Sequence, residues 1–71
     1  MKGNKLTDAM ERVNVDMVQA MEHGEEIVLN NEYTLYKYAE EDIVMLLKSE
    51  EWEEVASVVI NGELMEFEMM D

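Results

Sequence analysis

Cysteine and proline are both absent from this 71-residue sequence, and histidine occurs once. Without cysteine there is no disulfide framework and no thiolate metal site, so packing, alone or with a partner subunit, must hold the fold. The same absence favours a reducing cytoplasm as the location of the protein. A chain of this length has room for one domain, residues 1–71, with a small core.

Positive charge is also scarce. Five Lys and Arg residues stand against 18 Asp and Glu residues, which gives a formal net charge of −13. No cation lies in residues 49–71. Nucleic acid should therefore be repelled by the protein, whereas basic protein surfaces should be attracted to it.

Long apolar runs are missing as well. The longest one, residues 43–47, is far shorter than the roughly 18 residues that a membrane span requires. Residues 1–5 lead into no apolar segment of the kind found in signal peptides. We expect neither membrane insertion nor export. Hydrophobic residues nevertheless make up 48% of the sequence, so the chain should fold despite its charge.

Apolar residues spaced three and four apart predict one amphipathic helix over residues 7–23. Thr7 is the predicted N-cap, and Gly24 suits the left-handed position after the last turn. The predicted apolar stripe consists of Leu6, Met10, Val13, Met17, Ala20 and Met21. Val15 and Val18 lie off this stripe, so either the apolar face is wide, which we favour, or a second surface contacts another chain.

After the predicted helix the pattern becomes typical of strands. Residues 27–29 and 33–38 are rich in β-branched and aromatic side chains, and the Asn30-Asn31 pair between them predicts a hairpin turn. Residues 40–54 permit two interpretations. Their acidic start would suit the first turn of a helix, whereas the apolar run suits a buried strand. We favour a strand over residues 43–48, followed by a charged connection over residues 50–54.

The Asn61-Gly62 pair predicts a second hairpin with a type I′ turn, which needs positive φ at both residues. The implied register pairs Ile60 with Glu63 and Ala56 with Phe67. It places Ala56, Val58, Ile60, Met65, Phe67 and Met69 on an apolar face, and Ser57, Glu66 and Glu68 on a wet, acidic face. We therefore predict an α+β fold, in which one N-terminal amphipathic helix packs on an antiparallel meander of four to five strands.

Catalytic motifs are not found in the sequence. The single histidine, His23, lies where the predicted helix ends, and we interpret it as structural. Adjacent acid pairs are numerous, as expected by chance among 18 acids, and none belongs to a metal-binding motif. The isolated glycines form no phosphate-binding loop. We expect a protein that is not an enzyme and that uses no cofactor or metal.

The distribution of acids is the main functional signal. Glu66 and Glu68 are two residues apart on one strand face, which separates them by roughly 7 Å, a spacing similar to that of phosphates along a nucleic-acid strand. The connection over residues 50–54 adds four more acids around one tryptophan. The predicted partner-binding residues are Glu50, Glu51, Trp52, Glu53, Glu54, Glu66 and Glu68.

Parts of the sequence resemble a known family. Val44-Met45-Leu46-Leu47-Lys48-Ser49 and Ala56-Ser57-Val58-Val59-Ile60, with a closing strand after them, resemble the C-terminal half of the phage uracil-DNA glycosylase inhibitors. Glu26-Ile27-Val28-Leu29 is similar to the inhibitory strand of that family, without its serine. The resemblance implies a small acidic protein of helices on an antiparallel sheet that mimics DNA. The combination of a short helix, the strand start Gly24-Glu25-Glu26 and the acidic segment around Trp52 also resembles small phage accessory proteins that block host defence systems.

Two functional hypotheses follow. In the first, the protein is a non-catalytic, phage-encoded inhibitor in the host cytoplasm, and its acidic face occupies a basic groove of a host defence or DNA-processing protein as a DNA mimic. Trp52, Tyr36 and Tyr38 are the candidate anchors. In the second, the protein is a homo-oligomeric assembly or ligand-sequestering module, and its acids serve solubility. Neither hypothesis includes direct contact with nucleic acid or membrane.

Overall fold

The computed structural model describes residues 4–38 and 43–70. Its elements, in chain order, are the helices α1 (Lys5–Glu11) and α2 (Val15–Ala20) and the strands β1 (Glu26–Val28), β2 (Tyr33–Tyr36), β3 (Ile43–Lys48), β4 (Glu53–Asn61) and β5 (Leu64–Met69). The strands form one antiparallel sheet in the order β1-β2-β3-β4-β5. The predicted α+β class, with an N-terminal helical part and an antiparallel meander, is confirmed.

The helical part consists of two short helices, so the single helix predicted over residues 7–23 is wrong. Asn14 is extended, with φ −140° and ψ 166°, and its side-chain oxygen accepts a hydrogen bond of 2.8 Å from the Met17 amide. Asn side chains compete in this way with helical backbone bonds, which is why they cap helices more readily than they continue them. The predicted N-cap is also corrected, because Asn4 caps α1 by accepting from the Thr7 amide at 2.7 Å.

The break between the helices changes which residues face the core. Val18, which lies off the predicted stripe, is 1% exposed and belongs to the core, whereas Ala20 from the stripe is exposed. Because the chain is interrupted at Asn14, the side chains of α2 are rotated about the helix axis relative to those of one continuous helix. This rotation explains why Val18 is buried and Ala20 is exposed. Gly24 has the expected positive φ of +91°, but it lies in a turn beyond the end of α2 rather than directly after a helix.

The core lies between the helices and one face of the sheet. Its central row crosses three strands, where Leu35 pairs with Leu46 and Leu46 with Ala56, and all three side chains are 0% exposed. Val44 and Val58 form the neighbouring pair and are equally buried. Buried residues of both helices join the same cluster. One face of the sheet therefore packs against the helices and forms the core.

The second hairpin is confirmed, but its predicted register is wrong. Asn61 pairs with Leu64, so the loop consists of Gly62 and Glu63. Only Gly62 of these residues has a positive φ, +68°, as in type II′ rather than type I′ turns. Ile60 then pairs with Met65 and Ala56 with Met69. The loop moves by one residue along both strands, so the alternation of side chains is unchanged and the predicted division into two faces holds.

Strand β3 confirms the strand interpretation of residues 43–48, while Glu40, Glu41 and Asp42 lie outside the described residues. The charged connection is shorter than predicted, because Glu53 and Glu54 belong to β4. Leu46 pairs with Ala56 but Leu47 pairs with Glu54, which leaves Val55 as the extra residue of a β-bulge. The bulge changes which β4 side chains share a face.

The first hairpin, between β1 and β2, is also confirmed, and Asn30 attaches it to α1. The Asn30 side-chain oxygen accepts from the amides of Glu32 and Tyr33 at 2.8 and 2.9 Å. Its side-chain nitrogen donates to the Asp8 carboxylate and to the Lys5 carbonyl, both at 3.0 Å. The hydrogen bond from Asn30, together with the nearby Arg12 guanidinium, lowers the pKa of Asp8 below its ordinary value.

Asp8→Asn is expected to lower stability at neutral pH and to matter less in acid. Because the pKa of Asp8 is lowered in the folded state, the ionised carboxylate stabilises the fold at pH values above its unfolded pKa of about 3.9. That contribution is lost as the pH falls through the folded pKa, where wild-type Asp8 becomes neutral like Asn. Urea unfolding of both proteins at pH 7 and pH 3 would measure this. A stability difference that stays constant between the two pH values would contradict the assignment.

Candidate protein-binding face

The second face of the sheet is not used by the helices. Of the partly buried strand residues that pack against the core, those with a register partner belong to the helix-covered side, as the cross-strand pairs show: Ile27, Ile60, Met65 and Phe67. We call the other side the open face, although two of its residues, Thr34 and Leu47, are buried. Its residues are Glu26, Val28, Thr34, Tyr36, Ile43, Met45, Leu47, Glu54, Ser57, Val59, Leu64, Glu66 and Glu68.

One row of the open face runs through all five strands. It consists of the register partners Glu26, Tyr36, Met45, Ser57 and Glu68. Both ends carry exposed carboxylates, and the middle residues are partly buried. With strands about 4.8 Å apart, the two acids are separated by roughly 19 Å. The row thus has an aromatic and apolar centre between two acidic ends.

Trp52 lies over the aromatic part of this row. Its ring meets the Tyr36 ring edge to face, with centroids 5.5 Å apart and an interplanar angle of 78°. The Trp52 backbone has a φ of +53°, in the left-handed region, and its amide donates to the Lys48 carbonyl at 2.8 Å. This turn brings the indole onto the open face, yet the residue remains 50% exposed. The pair is an exposed aromatic corner.

Glu54 reaches the open face because of the bulge at Val55. Without the extra residue, Glu54 and Ser57 would point to opposite sides of β4. Instead, the Ser57 hydroxyl donates to the Glu54 carboxylate at 3.0 Å. Ser57 pairs with Glu68 in the next strand, so two carboxylates flank one serine.

Glu66 is the third acid in this part of the open face, opposite the partly buried Val59. The ion pairs within residues 4–38 and 43–70 are Arg12 with Asp8 and Lys48 with Glu51. Within those ranges, no cation therefore pairs with Glu54, Glu66 or Glu68. Among the described residues, their mutual repulsion is therefore not relieved by a neighbouring positive charge.

The remaining predicted site residues lie elsewhere. Glu53 pairs in register with Lys48 and points to the helix-covered side. Glu50 and Glu51 line a shallow depression of about 410 Å³ together with Lys48, whose amino group is 3.9 Å from the Glu51 carboxylate. The structure therefore brings together Trp52, Glu54, Glu66 and Glu68 on the open face and separates them from Glu50, Glu51 and Glu53.

Three apolar residues of the open face were not predicted from the sequence to belong to a binding surface. Ile43 and Met45 belong to a continuous apolar run, which conceals the alternation of side chains along β3. Val28 is 72% exposed at the edge of the sheet. Glu26 was not among the predicted partner-binding residues, although its segment resembles an inhibitory strand, and its pairing with Tyr36 places it on the open face.

Comparisons with protein-family models, curated proteins and solved structures find no match for this chain.

Among the described residues, no helix is long and apolar enough to cross a membrane. The same residues contain no group of three or more His, Asp or Glu side chains that could hold a metal ion. His23 is exposed in a turn. An apolar and aromatic centre with a charged rim is the usual anatomy of a protein–protein interface.

Proposed function

We propose that this protein is a non-catalytic inhibitor that occupies the basic, nucleic-acid-binding groove of another protein and acts there as a DNA mimic. The observation that carries the proposal is the group Glu54, Glu66 and Glu68, which shares one sheet face without a pairing cation in the described part of the chain. Self-repulsion among such charges opposes folding, so their concentration is better explained by binding than by stability.

The arrangement suits both steps of such an interaction. Uncompensated carboxylates accelerate the encounter with a positively charged groove, and this effect weakens as salt is added. The exposed aromatic corner of Trp52 and Tyr36 then offers an anchor, because interface hot spots are enriched in Trp and Tyr. Charge governs association in this account, and the aromatic pair governs dissociation.

The class of partner follows from the same chemistry. A basic groove that normally holds nucleic acid matches the charge of the open face, whereas nucleic acid itself does not. The resemblance of residues 44–49 and 56–60 to the uracil-DNA glycosylase inhibitors supports a phage-encoded inhibitor that acts in the host cytoplasm on a DNA-processing or defence protein. Those two segments lie mainly in the adjacent strands β3 and β4, and β4 also contains Glu54 of the open face.

Reversal of two charges tests the proposal. The variant Glu66→Lys/Glu68→Lys and the control Glu11→Lys/Glu22→Lys change the net charge equally, and all four residues are exposed. Immobilised wild-type protein and control are expected to capture the same basic protein from a bacterial lysate at low salt, and duplex DNA should release it. The open-face variant should capture little, with slower association and a flatter salt dependence. Equal capture by both variants would contradict the proposal.

Trp52→Ala is expected to act mainly on the dissociation rate of the captured partner. The residue is 50% exposed, and an edge-to-face pair contributes only about 0.5–1.5 kcal/mol to stability beyond the area it buries. Kinetic measurement against the captured partner, combined with urea unfolding, separates the two effects. Unchanged dissociation together with a large loss of stability would identify Trp52 as part of the folding core instead.

Self-association is the second candidate, and Leu64 is the observation that favours it. Leu64 is 64% exposed on the open face, beside the partly buried Val59. Met69 and Met70 are about half exposed at the end of the same hairpin. Sedimentation of the purified protein over a range of concentrations distinguishes the candidates. A stable dimer that buries the open face would favour the assembly module.

A further inference from the structure

Strand β5 forms one edge of the sheet, and within the described residues it is paired only with β4. It has six residues, whereas the opposite edge strand, β1, has three. The unpaired N–H and C=O groups of an exposed edge strand form a template on which another strand can pair. This edge also carries Glu66 and Glu68, so strand addition and the acidic open face involve the same element.

The direction of the β5 backbone groups follows from the turn. A two-residue loop is closed by a hydrogen-bonded pair, here Asn61 with Leu64, and such pairs alternate along an antiparallel ladder. The Met70 amide donates to the Val55 carbonyl at 3.0 Å, in agreement with this alternation. The even-numbered residues therefore bond to β4. The backbone groups that point away from the sheet belong to Met65, Phe67 and Met69.

Like charge opposes the addition of a second copy at this edge. An antiparallel pairing of two β5 strands that uses all three outward-pointing residues centres on Phe67. It then places Glu66 of each copy directly opposite Glu68 of the other. Two such pairs of carboxylates face each other across the new ladder, and like charges in directly opposite positions are destabilising. The edge therefore favours a strand of opposite charge.

We propose that β5 binds an extended basic segment of the partner by antiparallel strand addition. This inference rests on the proposed function and names the binding mode of its acidic face. The incoming residues opposite Glu66 and Glu68 are Lys or Arg and point to the open face, since paired residues of neighbouring strands share a face. The incoming residues that alternate with them, one between and one on either side, exchange backbone hydrogen bonds with Met65, Phe67 and Met69.

A peptide of eight alternating lysines and valines, with acetylated and amidated ends, is the probe. Amide hydrogen exchange is followed by NMR on the wild-type protein at low salt. Upon binding, exchange at Met65, Phe67 and Met69 should slow, while that at Glu66 and Glu68 should change little because their amides already bond to β4. Binding without this alternation, or no binding at all, would overturn strand addition.

Methylated peptides test the hydrogen bonds without altering the protein. The lysines must lie opposite Glu66 and Glu68, so the valine amides are the ones that bond to β5. N-methylation of the valines should weaken binding at least about tenfold, because several backbone hydrogen bonds are lost. N-methylation of the lysines should have a small effect. Equal effects of the two modifications would overturn the proposal.

Two variants separate this inference from the proposed function. Met69→Pro removes one outward-pointing amide from an edge position that tolerates proline, and it leaves every charge in place. It should weaken peptide binding without changing the salt dependence. Glu66→Gln/Glu68→Gln should weaken capture of the basic partner from lysate. If Met69→Pro binds the peptide as tightly as wild type while the Gln variant captures less partner, strand addition is contradicted and the proposed function is retained. Unchanged capture by the Gln variant contradicts the proposed function itself.

Discussion

Leu46→Ala is expected to lower the free energy of unfolding by about 2–5 kcal/mol, the range observed for buried Leu to Ala changes. Leu46 is 0% exposed between its register partners Leu35 and Ala56, so the cavity would open in the central row of the core. Small domains have total stabilities of only about 0.05–0.15 kcal/mol per residue. The variant should therefore be largely unfolded or close to it, as measured by urea titration with circular dichroism.

Leu64→Ala is the matched control for this substitution. Leu64 is the same residue type in the same sheet, but it is 64% exposed on the open face. Its replacement should change stability by no more than about 0.5 kcal/mol, as is usual for surface positions. Similar losses in the two variants would mean that the helices do not cover the face that contains Leu46.

Gly62→Val should lower the free energy of unfolding by more than about 1 kcal/mol. Gly62 has a φ of +68°, which a β-branched residue adopts only with strain. A Cβ atom at this position would meet no atom within 4 Å, so the expected loss arises from the backbone conformation and not from a clash.

Asn61→Val distinguishes the two possible turns. In a type I′ turn Asn61 would need a positive φ, and its replacement would be as costly as that of Gly62. In this structure Asn61 is the last residue of β4 and pairs with Leu64, so valine should be tolerated there. Equal losses at the two positions, measured by urea unfolding, would restore the type I′ turn.

The class of fold could be predicted from the sequence because it depends on local patterns that agree with one another. The Asn30-Asn31 and Asn61-Gly62 pairs separate β-rich runs, and an apolar run of five residues is too short for most helices. The break in the helical part was missed for a physical reason. Asn14 lies inside an uninterrupted apolar stripe, and only its observed hydrogen bond to the Met17 amide shows that it starts a new helix.

The division of the C-terminal hairpin into two faces was also predictable, although its register was not. Alternation has a period of two, so a loop displaced by one residue on both strands leaves every side chain on its predicted side. Both possible loops, Asn61-Gly62 and Gly62-Glu63, contain Gly62, which adopts a positive φ in either turn. The sequence alone therefore does not choose between them.

The candidate site could be predicted only in part. Glu66 and Glu68 follow from alternation, but only the bulge at Val55 places Glu54, rather than Glu53, on the same face. No residue type specifies that bulge, and it decides which acid joins Ser57. The position of Trp52 likewise depends on a left-handed backbone angle that tryptophan rarely adopts.

Competition with DNA tests the central claim most directly. Fluorescent duplex DNA is bound to the basic protein captured from lysate, and the wild-type protein is then titrated into the complex. We expect the wild-type protein to displace the DNA fully at about one equivalent per groove. The variant Glu66→Lys/Glu68→Lys should displace it poorly, and Glu11→Lys/Glu22→Lys should behave as wild type. A ternary complex that retains the DNA, or equal displacement by both variants, would contradict the central claim.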